Sequence, residues 1–131
     1  STRLAQEISR QAEKANREMD ILLEVNIGRE ENKSGILPEA LPELLEEAAA
    51  LPRIHVRGLM AIPPADAARE ETIRFFSRMT QYFIDIKQKR IDNVTMDYLS
   101  MGMSADFADA IRAGANLVRV GSALFGPRVY R

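Results

Sequence analysis

Leu99-Ser-Met-Gly-Met-Ser104 and Leu117-Val-Arg-Val-Gly-Ser-Ala-Leu-Phe-Gly126 decide how this chain folds. Each is an apolar run that breaks into glycine and serine where a strand would end. Two adjacent parallel strands that finish this way bring small side chains and free backbone N–H groups to one point. Such a point can cup a phosphate.

The same alternation of apolar run and break extends toward the N-terminus. Leu4, Ala5, Ile8, Ala12 and Ala15 recur at helical spacing from residue 2 to about 18, with Ser1 or Thr2 placed to cap. Residues 21–27 read as a buried strand ending at Gly28, and 28–35 as a polar loop. Pro38 suits the first turn of a helix whose buried face is Leu41, Leu44, Leu45, Ala48 and Ala49; Leu51-Pro52 stops it. A second strand, 54–62, ends at Pro63-Pro64. Residues 72–89 form an amphipathic helix with Ile73, Phe76, Met79, Phe83 and Ile86 on one side. After the polar link 92–97 come a third strand at 98–102, a short helix at 105–113 closed by Gly114, and a fourth strand at 117–120. Continuously apolar strands alternating with helices predict an α/β fold, a parallel sheet covered by helices, in one domain over residues 1–131.

Composition removes several function classes. With 18 basic and 19 acidic side chains there is no basic field for nucleic acid and no polybasic patch for a membrane surface. No uncharged stretch is long enough to span a bilayer. The absence of cysteine excludes disulfides and thiolate metal sites, and a single histidine, His55, cannot build a multi-histidine centre, so no metal is expected. A cytoplasmic location is the expectation.

Four stretches in order carry a resemblance to a known family. They are Val25-Asn-Ile27 with Asn32-Lys-Ser-Gly35, Arg57-Gly-Leu-Met-Ala-Ile-Pro63, Leu99-Ser-Met-Gly-Met-Ser-Ala-Asp106, and Val118-Arg-Val-Gly-Ser-Ala-Leu-Phe-Gly126. Together they resemble the C-terminal half of the pyridoxal phosphate homeostasis proteins, a branch related to the N-terminal barrel of alanine racemase. The resemblance implies a (β/α)8 TIM-type barrel holding pyridoxal 5′-phosphate, which takes about 200 residues or more. The four strands here match the last four, so a parallel (β/α) half-barrel is expected. The first half, with the lysine that forms the Schiff base, is expected to be missing. What the resemblance implies is a pyridoxal-phosphate-binding piece of a protein of cofactor buffering and delivery, without covalent attachment or catalysis of its own. The alternatives are a fragment of a racemase- or decarboxylase-like enzyme, and a half-barrel scaffold that self-associates and binds only phosphate or sulfate.

Each candidate residue has a plainer reading beside the functional one. Gly121 and Ser122 offer N–H groups and a hydroxyl to the phosphate; the plain reading is a tight turn that needs glycine. Gly102, Met103 and Ser104 form the partner segment, with Ser104 equally placed to cap a helix starting at Ala105. Arg119, between two valines, is by resemblance aimed at the pyridine nitrogen, where it would weaken the ring as an electron sink. Its plain reading is an ion pair or a guanidinium reaching solvent. Lys33 is the one lysine of four in a strand-end loop; a solvated charge beside Glu30 and Glu31 is favoured over a phosphate or aldehyde contact. Met60, with Met101 and Met103, either lines an apolar wall or is plain core. His55 lies at the strand end away from the site. A sheet of four strands with bare edges is expected to self-associate.

Overall fold

The computed structural model describes residues 1–126. Helix α1 (Thr2–Ala15) leads into β1 (Met19–Glu24). A 3-10 turn (Pro38–Ala40) runs into α2 (Leu41–Ala49), followed by β2 (Ile54–Met60) and α3 (Arg69–Lys89). Then come β3 (Val94–Met103), α4 (Phe107–Ala113), β4 (Leu117–Arg119) and α5 (Gly121–Phe125). The four strands lie in the order β1-β2-β3-β4, all parallel, and make the expected half-barrel. No described helix is long and apolar enough to cross a membrane.

Local chemistry sets the helix ends. Ser1 Oγ accepts the Leu4 N–H at 3.2 Å and opens α1. Asn16 closes it in the left-handed conformation, about two residues before the predicted end. Gly114 closes α4 as expected, at φ 126°. α3 begins at Arg69, three residues earlier than residue 72, because Ala68 in extended backbone already accepts the Thr72 N–H at 2.9 Å.

The core lies between the helices and one face of the sheet. Phe76 and Met79 of α3 and Leu44 and Leu45 of α2 are buried against Ile54, Val56, Leu59, Leu99 and Met101. Each fully buried side chain of this size stabilises by about 1.5–3 kcal/mol. Phe75, Tyr82 and Phe83 pack at the margin of this cluster.

The other face is polar at its base. Arg57 of β2 donates from Nε to Asp97 of β3 at 2.8 Å and from Nη1 to Asp20 of β1 at 2.9 Å. Its guanidinium carbon lies 5.8 Å from the Tyr98 ring centroid. This three-strand ladder corrects the sequence reading of 92–97 as a link: β3 begins at Val94. Thr95 and Asp97 sit on the uncovered side, where polarity is compatible with a strand.

Two asparagines splice the sheet where its register shifts. Asn93 donates from Nδ2 to the Ala49 and Ile54 carbonyls at 3.1 and 2.7 Å. Asn116 accepts the Leu99 N–H at 2.8 Å and donates to the Asp97 carbonyl at 2.7 Å, tying the three-residue β4 to β3. At Gly58 the strands come so close that a Cβ would stand 1.8 Å from the Tyr98 carbonyl oxygen. Gly58→Ala should therefore cost more than about 3 kcal/mol in urea unfolding.

His55, at the start of β2, is structural as expected. Its ring bonds to the Asn93 side-chain oxygen, and its Nε2 to Glu18 at 2.9 Å. The Asn93 bond and then the Glu18 bond raise its pKa above the ordinary histidine value. A raised folded-state pKa gives stability that is fully present below the unfolded pKa and lost as pH rises through the folded one. Thermal melts should show a loss beginning near the ordinary histidine range and complete above the raised value. His55→Gln should flatten that slope.

Candidate functional site

The C-terminal strand ends bring the β1–α2, β2–α3 and β3–α4 loops to one rim, the functional end of such a fold. A cavity of about 560 Å³ lies there, lined among others by Ile62, Pro63, Gly102, Met103, Asp106 and Phe107. A neighbouring cavity of about 470 Å³ is lined by Glu24, Asn26, Lys33, Ile62 and Asp66.

Arg119, Gly121 and Ser122 are not among the residues lining either cavity; Arg119 sits at the strand end beside them. It ends β4 opposite Met103 of β3, and its Nη2 donates to the Ala61 carbonyl just past β2 at 3.1 Å. The guanidinium thus spans the sheet from β4 to β2. Its Nε–H is shielded from solvent and has no acceptor among the described residues. Burial lowers the Arg119 pKa, while the charges of Glu24 and Asp106 oppose that shift. Neither carboxylate forms a direct ion pair with it among the described residues. A shielded donor left unmade costs about 1–3 kcal/mol. Of the two plain readings, the ion pair is therefore not what holds Arg119; the side chain is a cation with one donor in reserve.

The two glycine segments behave differently. Gly102 is required by the fold: its φ is 102°, and a Cβ would stand 2.7 Å from Ala110 Cβ. Gly121 is not: its φ is outside the left-handed region, and no described atom lies within 4 Å of a Cβ built on it. The tight-turn reading of Gly121 thus loses its geometric basis. The glycine opens α5 two residues past β4 and leaves open space beside an exposed Ser122, so both lie in a helix start and not in the strand.

Met103 and Ser104 need correction. The Met103 N–H, expected to be free, donates to Asp106 Oδ1 at 2.8 Å, and the Asp106 N–H returns a bond to the Met103 carbonyl at 3.1 Å. Met103 contributes its half-exposed side chain to the cavity wall. Ser104 does not cap a helix: α4 starts at Phe107, Asp106 holds the N-cap position, and no side chain caps it. The Asp106 carboxylate is drawn back to Met103, so the turn at 103–106 replaces the first turn expected for the helix.

The remaining candidates scatter. Lys33 is exposed in its loop and lines the smaller cavity. Met60 ends β2 and lines a groove along β1 with Leu4, Ile8 and Leu22. Met101 is plain core. Sequence reasoning missed Glu24, whose carboxylate accepts the Ser34 hydroxyl at 2.9 Å and faces the Arg119 charge. A carboxylate directly after the apolar run Ile21-Leu-Leu23 was the available signal.

Parallel βα units with side chains gathered at the strand C-termini define a half-barrel of the (β/α)8 class. Residues 1–129 match the family model described as alanine racemase, N-terminal domain, and the chain belongs to that family. It is 44% identical over 127 residues to the pyridoxal phosphate homeostasis protein of Aquifex aeolicus, covering 97% of this chain and 55% of that protein. The chain spans about half the length of the curated relatives it matches. Among solved structures it resembles PipY of Synechococcus elongatus PCC7942. Without pyridoxal phosphate that structure has TM-score 0.88 at 32% identity, over 96% of this chain and 58% of that one. With pyridoxal phosphate bound, the values are 0.83, 30%, 96% and 57%. Alanine racemase of Clostridium difficile 630 shares the fold, with TM-score 0.75 at 20% identity over 99% of this chain and 34% of that one.

The contrast between the glycines is testable by unfolding. Gly102→Ala should cost at least about 2 kcal/mol. Gly121→Ala should stay within about 0.5 kcal/mol of the wild type.

Proposed function

We propose that this chain binds pyridoxal 5′-phosphate non-covalently, as the C-terminal half of a barrel that holds and releases the cofactor. The observation that carries the reading is Arg119: a solvent-shielded Nε–H without an acceptor among the described residues, beside two strand ends. The relatives named for pyridoxal phosphate homeostasis, and a similar structure with that cofactor bound, support the same ligand.

The residues present fit the group. Gly121 and Ser122 leave open space and a hydroxyl for the phosphate, with Gly102 shaping the neighbouring strand end. When bound, pyridoxal phosphate supplies an aldehyde reactive toward amines and an electron-withdrawing ring. Arg119 keeps its proton at working pH, so its Nε–H would donate to a ring nitrogen and leave that nitrogen unprotonated. A ring held this way is a weak electron sink, which suits carriage better than catalysis. None of the chain's lysines lines the cavity of Gly102 and Met103. Relatives named for homeostasis rather than for a reaction agree with this reading.

Titration of the pure chain with pyridoxal phosphate should give saturable, dialysable binding. Arg119→Met should weaken it by about tenfold, the loss of one charged hydrogen bond. No saturable binding would sink the reading. Stable borohydride labelling of Lys33, or racemisation of an amino acid by the pure chain, would overturn its non-covalent, non-catalytic part.

The same reading includes self-association. β1 and β4 are sheet edges without a further strand among the described residues. Ile62, Met103, Leu117 and Leu124 are 46, 44, 44 and 70% exposed. A two-fold axis along the barrel would set β4 of one copy beside β1 of the next and complete eight strands. Light scattering should give twice the 14.7 kDa chain mass. A stable, folded monomer would refute the pairing.

A further inference from the structure

The backbone donor at the end of β3 is already occupied by an anion of the chain itself. The Met103 N–H donates to Asp106 Oδ1 at 2.8 Å, and the Asp106 N–H closes the turn at 3.1 Å from the Met103 oxygen. Asp106 lines the same cavity as Gly102 and Met103. Met103 is the register partner of Arg119, and the Asp106 carboxylate is one of two that act on the Arg119 charge. The other, Glu24, is held by Ser34. A carboxylate therefore occupies the backbone donor at the strand end next to the proposed phosphate position and acts on the cation that would face the ring.

We infer that Asp106 sets the affinity and selectivity of this site: its carboxylate is a built-in competitor for a dianionic phosphate ester and keeps the hold releasable. This rests on the ligand reading above. An incoming dianion meets one fixed negative charge and one backbone donor already taken. Like charges at short range disfavour each other strongly where water is partly excluded. An unphosphorylated analogue meets no such opposition. The penalty is thus specific to the phosphate and weakens as salt screens it.

The isosteric variant separates charge from architecture. Asp106→Asn keeps an oxygen to accept the Met103 N–H and removes only the charge. Wild type, Asp106→Asn and Asp106→Ala would be titrated with pyridoxal phosphate, inorganic phosphate and pyridoxal at low and high salt, with circular dichroism checking each fold. The expected result is a gain of about fivefold or more in affinity of Asp106→Asn for both phosphate ligands, smaller at high salt, with pyridoxal unchanged. Equal or weaker phosphate binding by Asp106→Asn, with a wild type that binds, overturns the inference and leaves Asp106 as a turn-closing residue. An equal gain for pyridoxal also overturns it, because the effect would then not be one of charge. Asp106→Ala removes the hydrogen bond as well; if it folds, phosphate binding weaker than in the wild type overturns the competitor role. A wild type that binds neither phosphate ligand sinks the ligand reading itself, and this inference with it.

Discussion

Helices cover one face of the sheet and leave the other uncovered, and most other features follow from that asymmetry. On the covered face Leu59, Phe76, Met79, Leu99 and Met101 form a dry core that rewards continuous apolar sequence. On the uncovered face the strands carry Asp20, Arg57 and Asp97 in a ladder, with Arg119 spanning the rim above. Charged groups are tolerated there because water still reaches them and because Arg57 meets two carboxylates at once.

At the rim the electrostatics are balanced rather than saturated. Among the described residues Arg119 has a single carbonyl partner, while two carboxylates, Glu24 and Asp106, act on it without a direct ion pair. Glu24 is tied to Ser34, and Asp106 to the Met103 N–H. The positive charge is thus kept in place by groups that do not consume its remaining donor. A fully paired arginine would be more comfortable and less useful to a ligand.

The order of elements was legible in the sequence because each strand is a compact apolar run and each break carries Gly, Pro or a cap. The boundaries that moved did so for local reasons. Asn16 ends α1 early, and Ala68 starts α3 early. β3 was read four residues short because Thr95 and Asp97 looked like a link. Their side of the strand is open, so polarity there carries no penalty. At the site, Gly121 and Arg119 were visible from their positions at the end of a strand. The 103–106 turn was not, since the periodicity that marks α4 does not say whether Asp106 bonds forward into the helix or back to Met103. Asn93 and Asn116 were equally invisible: an asparagine in a polar link gives no sign of the carbonyls it will reach.

β4 has only three residues, and Asn116 does much of the work of fastening it to β3. The segment that carries Arg119 and Gly121 is therefore the least deeply anchored part of the sheet. Amide protons there should exchange through local fraying well before those of β2, which is paired on both sides. Under the proposed binding role, ligand occupancy and the ordering of this strand would form one linked equilibrium. Whatever rests against Arg119 also tethers the sheet edge, and whatever frays that edge lets the ligand go.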